Sequence, residues 1–178
     1  QKGLVQHFTK IAQNTSLPMV LYSVQSRTGV NIMPQTVAEL FHSCENIVAV
    51  KEASGNISQV ADILQMTQGG IDIYSGNDDQ IVPILSLGGK GVISVLSNIC
   101  PQETHDIVAK FMEGDMVGSR ELQLKMLPLI HALFCEVNPI PVKTAMNLMG
   151  MEVGPLRLPM TPMEEANKAR LIQAMKDM

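Results

Sequence analysis

The feature that most constrains this sequence is the alternation of short apolar runs with amphipathic stretches. Four runs rich in β-branched residues occupy residues 19–24, 47–51, 71–75 and 92–95. They begin 28, 24 and 21 residues apart, which is the length of a strand followed by a helix. Because the runs are continuously apolar rather than alternating, we expect burial on both faces, as in a parallel sheet flanked by helices. The predicted fold class is α/β.

Helix signals fill the spaces between the runs. Pro34 opens a helical pattern over residues 35–44, and Asn56 followed by Gln59 has the spacing of a helix cap. After residue 95 the strand signals stop, and four helices are predicted, over residues 101–112, 119–134 and 141–149 and from Thr161 onward. Four strand-plus-helix units are half of an eight-stranded barrel, and an open four-stranded sheet is the alternative that periodicity leaves open.

Composition excludes several classes of partner. Thirteen Lys and Arg against 17 Asp and Glu give a charge of −4 without a basic block, which argues against nucleic acid or an anionic membrane surface. Cys44, Cys100 and Cys135 are widely separated, so neither a disulfide framework nor a structural zinc site is expected. The apolar runs are too short to cross a bilayer. We therefore expect a cytoplasmic protein that acts on a small molecule and holds no metal.

Three residues are candidates for chemistry. Lys51 ends an apolar run, where desolvation favours a neutral amine that can form a Schiff base with a carbonyl. Tyr22, near the end of the preceding run, could relay protons beside that lysine, and Arg27 in the following loop could bind a carboxylate. The structural alternatives are a lysine reaching into solvent, a core tyrosine and a solvated arginine.

Five ordered motifs change this balance together. The sequence resembles the dihydrodipicolinate synthase/N-acetylneuraminate lyase family of class I aldolase-like enzymes in LYSVQSRTG, VAVKEASGN, SGNDD, GGKGVISV and NPIPVK. These segments span residues 21–143 in the family's order. The resemblance implies a (β/α)₈ TIM barrel with a C-terminal helical domain. This chain would supply about the last four βα units, residues 1–113, and the helical domain, residues 114–178.

The resemblance also implies roles for individual residues. Lys51 would be the lysine that forms a Schiff base with pyruvate, Tyr22 the proton relay, and Ile93 a residue whose backbone carbonyl faces bound pyruvate. Arg27 before Thr-Gly is similar to the family members in which this arginine receives the carboxylate of aspartate semialdehyde, whereas the sialic acid lyases lack it. The sequence departs from the usual Tyr-Asn-Val-Pro pattern at Ser23 and Gln25, and it keeps the Tyr and Arg positions.

The expected activity is therefore condensation of pyruvate with aspartate semialdehyde on the route to diaminopimelate and lysine, by a homotetramer without cofactor or metal. Four barrel strands, with a Thr pair and a second Tyr of the family site, would precede this chain, so we expect the isolated chain to be inactive. One alternative is another pyruvate-dependent aldolase of the family, which would cleave sialic acid or a keto-deoxy sugar acid. A half barrel that acts only in binding or assembly is the other, since open parallel edges must pair with something.

Overall fold

The computed structural model describes residues 1–176 of the chain. Contacts divide the chain into two compact units, of which the first is Gln1–Ile93 and the second begins at Ser94. The first unit ends at Ile93, whereas the predicted barrel portion extends through the following helix to residue 113. The boundary between a barrel portion and a helical domain at residues 113 and 114 stays a prediction, because it concerns a barrel larger than this chain.

The first unit contains a four-stranded parallel sheet in the order β1-β2-β3-β4. Its strands are β1 (Met19–Ser23), β2 (Ile47–Glu52), β3 (Asp72–Ser75) and β4 (Gly91–Val92). Each strand pairs in parallel with the next one in the sequence. The four apolar runs and the parallel sheet that they predict are therefore confirmed.

Five helices accompany these strands: α1 (Lys2–Ala12), α2 (Gln25–Thr28), α3 (Pro34–Ser43), α4 (Ile57–Met66) and α5 (Ile81–Ser86). The Asn56 side chain caps α4 by accepting a hydrogen bond from the Gln59 backbone N–H at 3.3 Å, as the spacing predicts. The core lies between one face of the sheet and the helices, and its aliphatic side chains include Leu21, Leu40, Val50, Ile63, Ile73 and Ile84. Burying each such side chain contributes about 1.5–3 kcal/mol.

The other face of the sheet is open in this structure. Val20 is 48% exposed and Tyr22 is 46% exposed, while Lys51 and Tyr74 are half-buried. The expectation of burial on both faces is therefore met only on the helix side. The side chains that alternate away from the helices are those that a closed barrel would enclose.

Two local features differ from the simple strand pattern. Between Met19 and Val20 the register of β1 against β2 shifts by one residue, so Val20 pairs with Ala49 and Val48 has no partner in β1. The fourth strand ends at Val92 rather than at the predicted residue 95. Ile93 N–H still donates to the Ser75 carbonyl at 2.9 Å. Ser94 Oγ then accepts a hydrogen bond from Ser97 N–H at 2.9 Å, which favours a turn over a longer strand.

The second unit is helical in its described part. It contains α6 (Pro101–Met112), α7 (Met116–Leu133), α8 (Ile140–Leu148) and α9 (Glu165–Lys176). The first of these has the predicted bounds, whereas α7 begins earlier because Asp115 caps it, accepting from Gly118 N–H at 2.9 Å. α9 begins after the predicted Thr161, since Glu164 N–H donates to Glu136 Oε1 at 3.1 Å instead. Across residues 1–176, no helix has the length and apolar character that crossing a membrane requires.

Candidate functional site

The sheet brings Tyr22 and Lys51 together at the carboxyl ends of β1 and β2. Tyr22 pairs with Lys51 in the ladder, and the Lys51 ammonium nitrogen lies 4.2 Å from the centroid of the Tyr22 ring. This distance is within the range of a cation–π interaction, in which the negative face of the ring attracts the ammonium group. A phenol and an amine thus share one edge of the open face.

The strand alternation explains why Lys51 points to the open face. Its neighbours Val50 and Glu52 are 0% and 2% exposed and lie on the helix side, so Lys51 must project the other way. Within residues 1–176 no carboxylate lies within ion-pair distance of the Lys51 ammonium group. The amine is therefore half-buried beside an aromatic ring and not committed to a counter-ion in this part of the chain.

A second tyrosine flanks the lysine on its other side. Tyr74 pairs with Lys51 in the β2–β3 ladder and is half-buried. Sequence reasoning did not assign Tyr74, although a signal was present: the chain has two tyrosines, and both stand near the ends of the runs adjacent to the one that ends in Lys51. The lysine therefore lies between two strands that each carry a phenol at the same level.

Arg27 lies in the one-turn helix α2, in the loop that leaves β1. The loop turns at Gly29, whose φ of 70° is in the left-handed region that glycine adopts without strain. The Arg27 side chain is exposed, and among the described residues its guanidinium group has no hydrogen bond or ion pair. The structure thus places Arg27 beyond the strand end that holds Tyr22 and leaves its charge available.

Ile93 follows β4 directly, and its side chain is 43% exposed. Its backbone N–H is fixed by the Ser75 carbonyl of β3, the strand that also carries Tyr74. All four sequence-predicted residues therefore lie in the first unit, three of them at or just beyond strand ends and Arg27 in a loop. No group of three or more His, Cys, Asp or Glu side chains within residues 1–176 is arranged to hold a metal ion.

A model of the dihydrodipicolinate synthetase family matches residues 1–178. The chain belongs to this family. Among curated relatives, the 4-hydroxy-tetrahydrodipicolinate synthase of Lachnoclostridium phytofermentans is 62% identical over 176 residues. That match covers 99% of this chain and 60% of the relative. The chain therefore spans about 60% of the length of the relative that it matches.

Solved structures of the dihydrodipicolinate synthetase family show the same fold. The dihydrodipicolinate synthase of Thermotoga maritima matches with a TM-score of 0.95 and 41% identity, over 99% of this chain and 61% of that one. The chloride-inhibited enzyme of Acinetobacter baumannii, complexed with pyruvate, matches with a TM-score of 0.93 and 37% identity, over 99% and 60% of the two chains. The fold is thus an α/β part of a (β/α)₈ barrel of this family, with a helical part after it.

Proposed function

We propose that this chain carries the Schiff-base lysine of a synthase that condenses pyruvate with aspartate semialdehyde. The observation that carries the proposal is the Lys51 amine at 4.2 Å from the Tyr22 ring centroid, on the open face of a sheet from this family. An amine that is half-buried and free of a counter-ion can act as a nucleophile on a carbonyl. The pyruvate complex of the Acinetobacter baumannii relative supports a keto acid as the first substrate.

The proposed reaction begins at Lys51. Its neutral amine attacks the carbonyl carbon of pyruvate, a carbon–nitrogen bond forms, and the carbonyl oxygen leaves as water. The resulting iminium withdraws electrons from the methyl group, and Tyr22 relays the proton that this group loses as the enamine forms. The enamine carbon then attacks the aldehyde carbon of the second substrate. The aldehyde oxygen takes up a proton and becomes a hydroxyl group. The amino group of aspartate semialdehyde then attacks the imine carbon, the bond from that carbon to Lys51 breaks, and Lys51 leaves as the free amine.

Arg27 and Ile93 complete the proposed binding of substrates. A guanidinium group binds a carboxylate through two parallel hydrogen bonds, so Arg27 would hold the carboxylate of aspartate semialdehyde. The backbone carbonyl of Ile93 would face pyruvate. Both assignments follow the family resemblance, and the exposed Arg27 side chain is compatible with its role.

The activity is proposed for a protein that contains the whole barrel, because this chain spans 60% of its Lachnoclostridium relative. A homotetrameric assembly, a cytoplasmic location and a place in the synthesis of diaminopimelate and lysine belong to the same proposal. The isolated chain is expected to be inactive. Mixing it with a separately expressed N-terminal part should restore turnover, and full turnover by the chain alone would contradict this expectation.

The test uses a completed protein, in which this chain is fused behind the N-terminal part of the Lachnoclostridium synthase that it does not match. Borohydride reduction in the presence of pyruvate should leave a stable adduct on the peptide that contains Lys51, detected by mass spectrometry. Lys51→Arg should abolish the adduct. Lys90→Arg should retain it, because Lys90 is exposed and lies 3.9 Å from Asp72 as an ion pair. An unmodified Lys51 peptide would overturn the proposal.

The choice of aldehyde is tested at Arg27. Arg27→Ala in the completed protein should lower kcat/KM for aspartate semialdehyde by about a hundredfold, since a bidentate charged contact is lost. Pyruvate trapping on Lys51 should persist. Gln25→Ala, on the same short exposed helix, is the matched control. Unchanged turnover of Arg27→Ala would favour an aldolase that cleaves sialic acid or a keto-deoxy sugar acid.

A further inference from the structure

Four polar side chains form a buried cluster on the helix side of the sheet, behind Tyr22 and Lys51. We name Ser23, Asn31, Glu52 and Gln59 the neck cluster. Ser23, Glu52 and Gln59 are 0%, 2% and 4% exposed. Neither the proposed reaction nor the family motifs assign this cluster a role. Buried polar groups cost free energy unless they are hydrogen-bonded, so their contacts are informative.

The contacts of the neck cluster form a continuous chain. The Gln59 amide donates to Glu52 Oε2 at 2.9 Å and to Asn31 Oδ1 at 3.2 Å. Asn31 in turn donates to Gln59 Oε1 at 2.6 Å, and Ser23 Oγ donates to Asn31 Oδ1 at 3.1 Å. Side chains from β1, β2, α4 and the loop after α2 are thereby joined.

Glu52 is the charged member of the neck cluster, and it is 2% exposed. Each of its carboxylate oxygens has one donor: Oε1 accepts from Ser54 N–H at 2.6 Å and Oε2 accepts from Gln59. No cation of residues 1–176 lies within ion-pair distance of this carboxylate. The Glu52 carboxylate therefore depends on these two hydrogen bonds, one from the backbone at Ser54 and one from the side chain of Gln59 on α4.

The cluster closes the loop that carries Arg27. This loop, residues 24–31, leaves β1 at Ser23 and returns at Ile32, whose backbone N–H donates to Ser23 Oγ at 3.2 Å. Asn31, at the end of the loop, is tied through Gln59 to Glu52. Since Glu52 directly follows Lys51, hydrogen bonds connect the neck of the Arg27 loop to the strand end that holds the amine.

We propose that the neck cluster is a positioning device, in which Glu52 and Gln59 hold the Arg27 loop in a fixed place relative to Lys51. This inference rests on the proposed function, because it assigns the cluster to recognition of the carboxylate of the second substrate. Glu52 and Gln59 touch no substrate in this scheme and are positioning residues. Their loss should weaken the binding of aspartate semialdehyde. The reaction of pyruvate with Lys51 should be unaffected, because it occurs on the opposite face of the sheet.

The decisive variant is Glu52→Gln in the completed protein. The new amide group places a donor against one of two existing donors, Ser54 N–H or the Gln59 amide. We expect KM for aspartate semialdehyde to rise about tenfold, as a small misplacement of a binding group can cause. Pyruvate trapping on Lys51 should change less than twofold. Trypsin should cleave after Arg27 about tenfold faster than in the parent, because the loop is released.

Exchange of the two side chains provides the rescue. In Glu52→Gln combined with Gln59→Glu, the amide at position 52 can donate to the carboxylate at position 59, which still accepts from Asn31. Asn31 Oδ1 loses the donor that Gln59 supplies at 3.2 Å and keeps the Ser23 hydroxyl, so the rescue is partial. The KM and the cleavage rate should return to within about threefold of the parent. Gln65→Glu is the matched control for Gln59→Glu, since it makes the same substitution at an exposed position of α4. Should Glu52→Gln fail to fold, Asn31→Asp breaks the cluster at its less buried end.

The outcomes separate the two proposals. Equal losses for both substrates, or an unchanged KM with an unchanged cleavage rate, would overturn the positioning role. Failure of the exchanged pair to restore either quantity, with the pair folded, would overturn it as well. A parent that traps no pyruvate, while cleavage after Arg27 still responds to Glu52→Gln and to the exchange, would overturn the proposed function and support the cluster as the anchor of the loop.

Discussion

The two faces of the sheet at the ends of β1 and β2 differ sharply within a single residue step. On the open face, Tyr22 is 46% exposed and holds its ring 4.2 Å from the Lys51 ammonium group. On the helix face, Ser23 and Glu52 are at most 2% exposed and each takes part in several hydrogen bonds. Neighbouring residues thus have opposite surroundings: the open face leaves the phenol and the amine accessible, and the helix face buries polar side chains that are hydrogen-bonded.

Replacement of Lys51 is expected to have the largest effect and to leave the fold intact. Lys51→Ala in the completed protein should abolish both pyruvate trapping and turnover, because no other amine replaces the nucleophile. The free energy of unfolding should change by less than about 1 kcal/mol, since the side chain is half-buried and has no ion-pair partner within residues 1–176. Mass spectrometry after borohydride and urea unfolding measure the two quantities. A larger loss of stability would show that the open face also contributes to the stability of the fold.

Removal of the Tyr22 hydroxyl should have the next largest effect. Tyr22→Phe keeps a ring over the ammonium group and removes the proton relay, so kcat should fall by about 10²- to 10³-fold. KM for pyruvate should change little. Tyr74→Phe is the matched control, because it removes the same group on the other flank of Lys51. Steady-state kinetics of the two variants decide the matter, and equal losses would show that the open face uses both phenols.

On the helix face the expected effect is on stability. Ser23→Ala removes the acceptor of Ile32 N–H and a donor to Asn31. The free energy of unfolding should fall by about 1–2 kcal/mol, the cost of leaving buried polar groups unpaired. Ser58→Ala, at an exposed position of α4, should change it by less than about 0.5 kcal/mol. Urea unfolding of both variants tests this. Equal stability of the two variants would show that the Ser23 hydrogen bonds contribute nothing to the free energy of unfolding.

The helical unit offers an ionisable side chain that burial keeps neutral. Burial, with a smaller contribution from Glu103, raises the pKa of the Cys100 thiol from 9.0 to about 11. The folded chain therefore keeps this proton after the unfolded chain has lost it, and stability must fall as pH rises through the ordinary value. The loss by about pH 9.5 should be less than about 1 kcal/mol.

Cys100→Ala should flatten this part of the pH dependence. Burial also raises the pKa of Cys135, so a smaller slope of the same sign should remain. Urea unfolding at several pH values checks both statements. A parent protein whose stability rises between pH 8 and about 9.5 would contradict the sign derived from the thiols.

The sequence was sufficient for the parallel sheet and for the meeting of Tyr22 with Lys51. Both residues stand near the ends of consecutive apolar runs, and parallel strands that follow one another usually pair. Tyr74 obeys the same rule one strand later, since it stands near the end of β3 and pairs with Lys51 of β2. Residue type and position nominate Lys51, Tyr22 and Arg27, whereas the role of Ile93 and the identities of the substrates follow from the family resemblance. All four roles stay predictions.

Other features had no local signal. Asn31 and Gln59 are 28 residues apart in the chain, and only the packing of α4 against the sheet makes them hydrogen-bond partners. Asn56 and Gln59 do carry the predicted cap spacing, but the side chain of Gln59 is used elsewhere, in the neck cluster. The early end of β4 is likewise followed by a local turn, in which Ser94 Oγ accepts from Ser97 N–H.

The single unmatched residue in β2, Val48, has a consequence for how this site could change. With even spacing from Met19 and Ile47, Tyr22 would stand opposite Val50 rather than opposite Lys51. Phenol and amine would then occupy opposite sides of the sheet. The pairing of Tyr22 with Lys51 therefore depends on the number of residues that precede each of them in its strand. Loops before the strands can lengthen or shorten freely, and deletion of Val48 would only remove the extra residue and leave Tyr22 opposite Lys51. A further residue inserted between Ala49 and Lys51 would instead part the pair without touching either member.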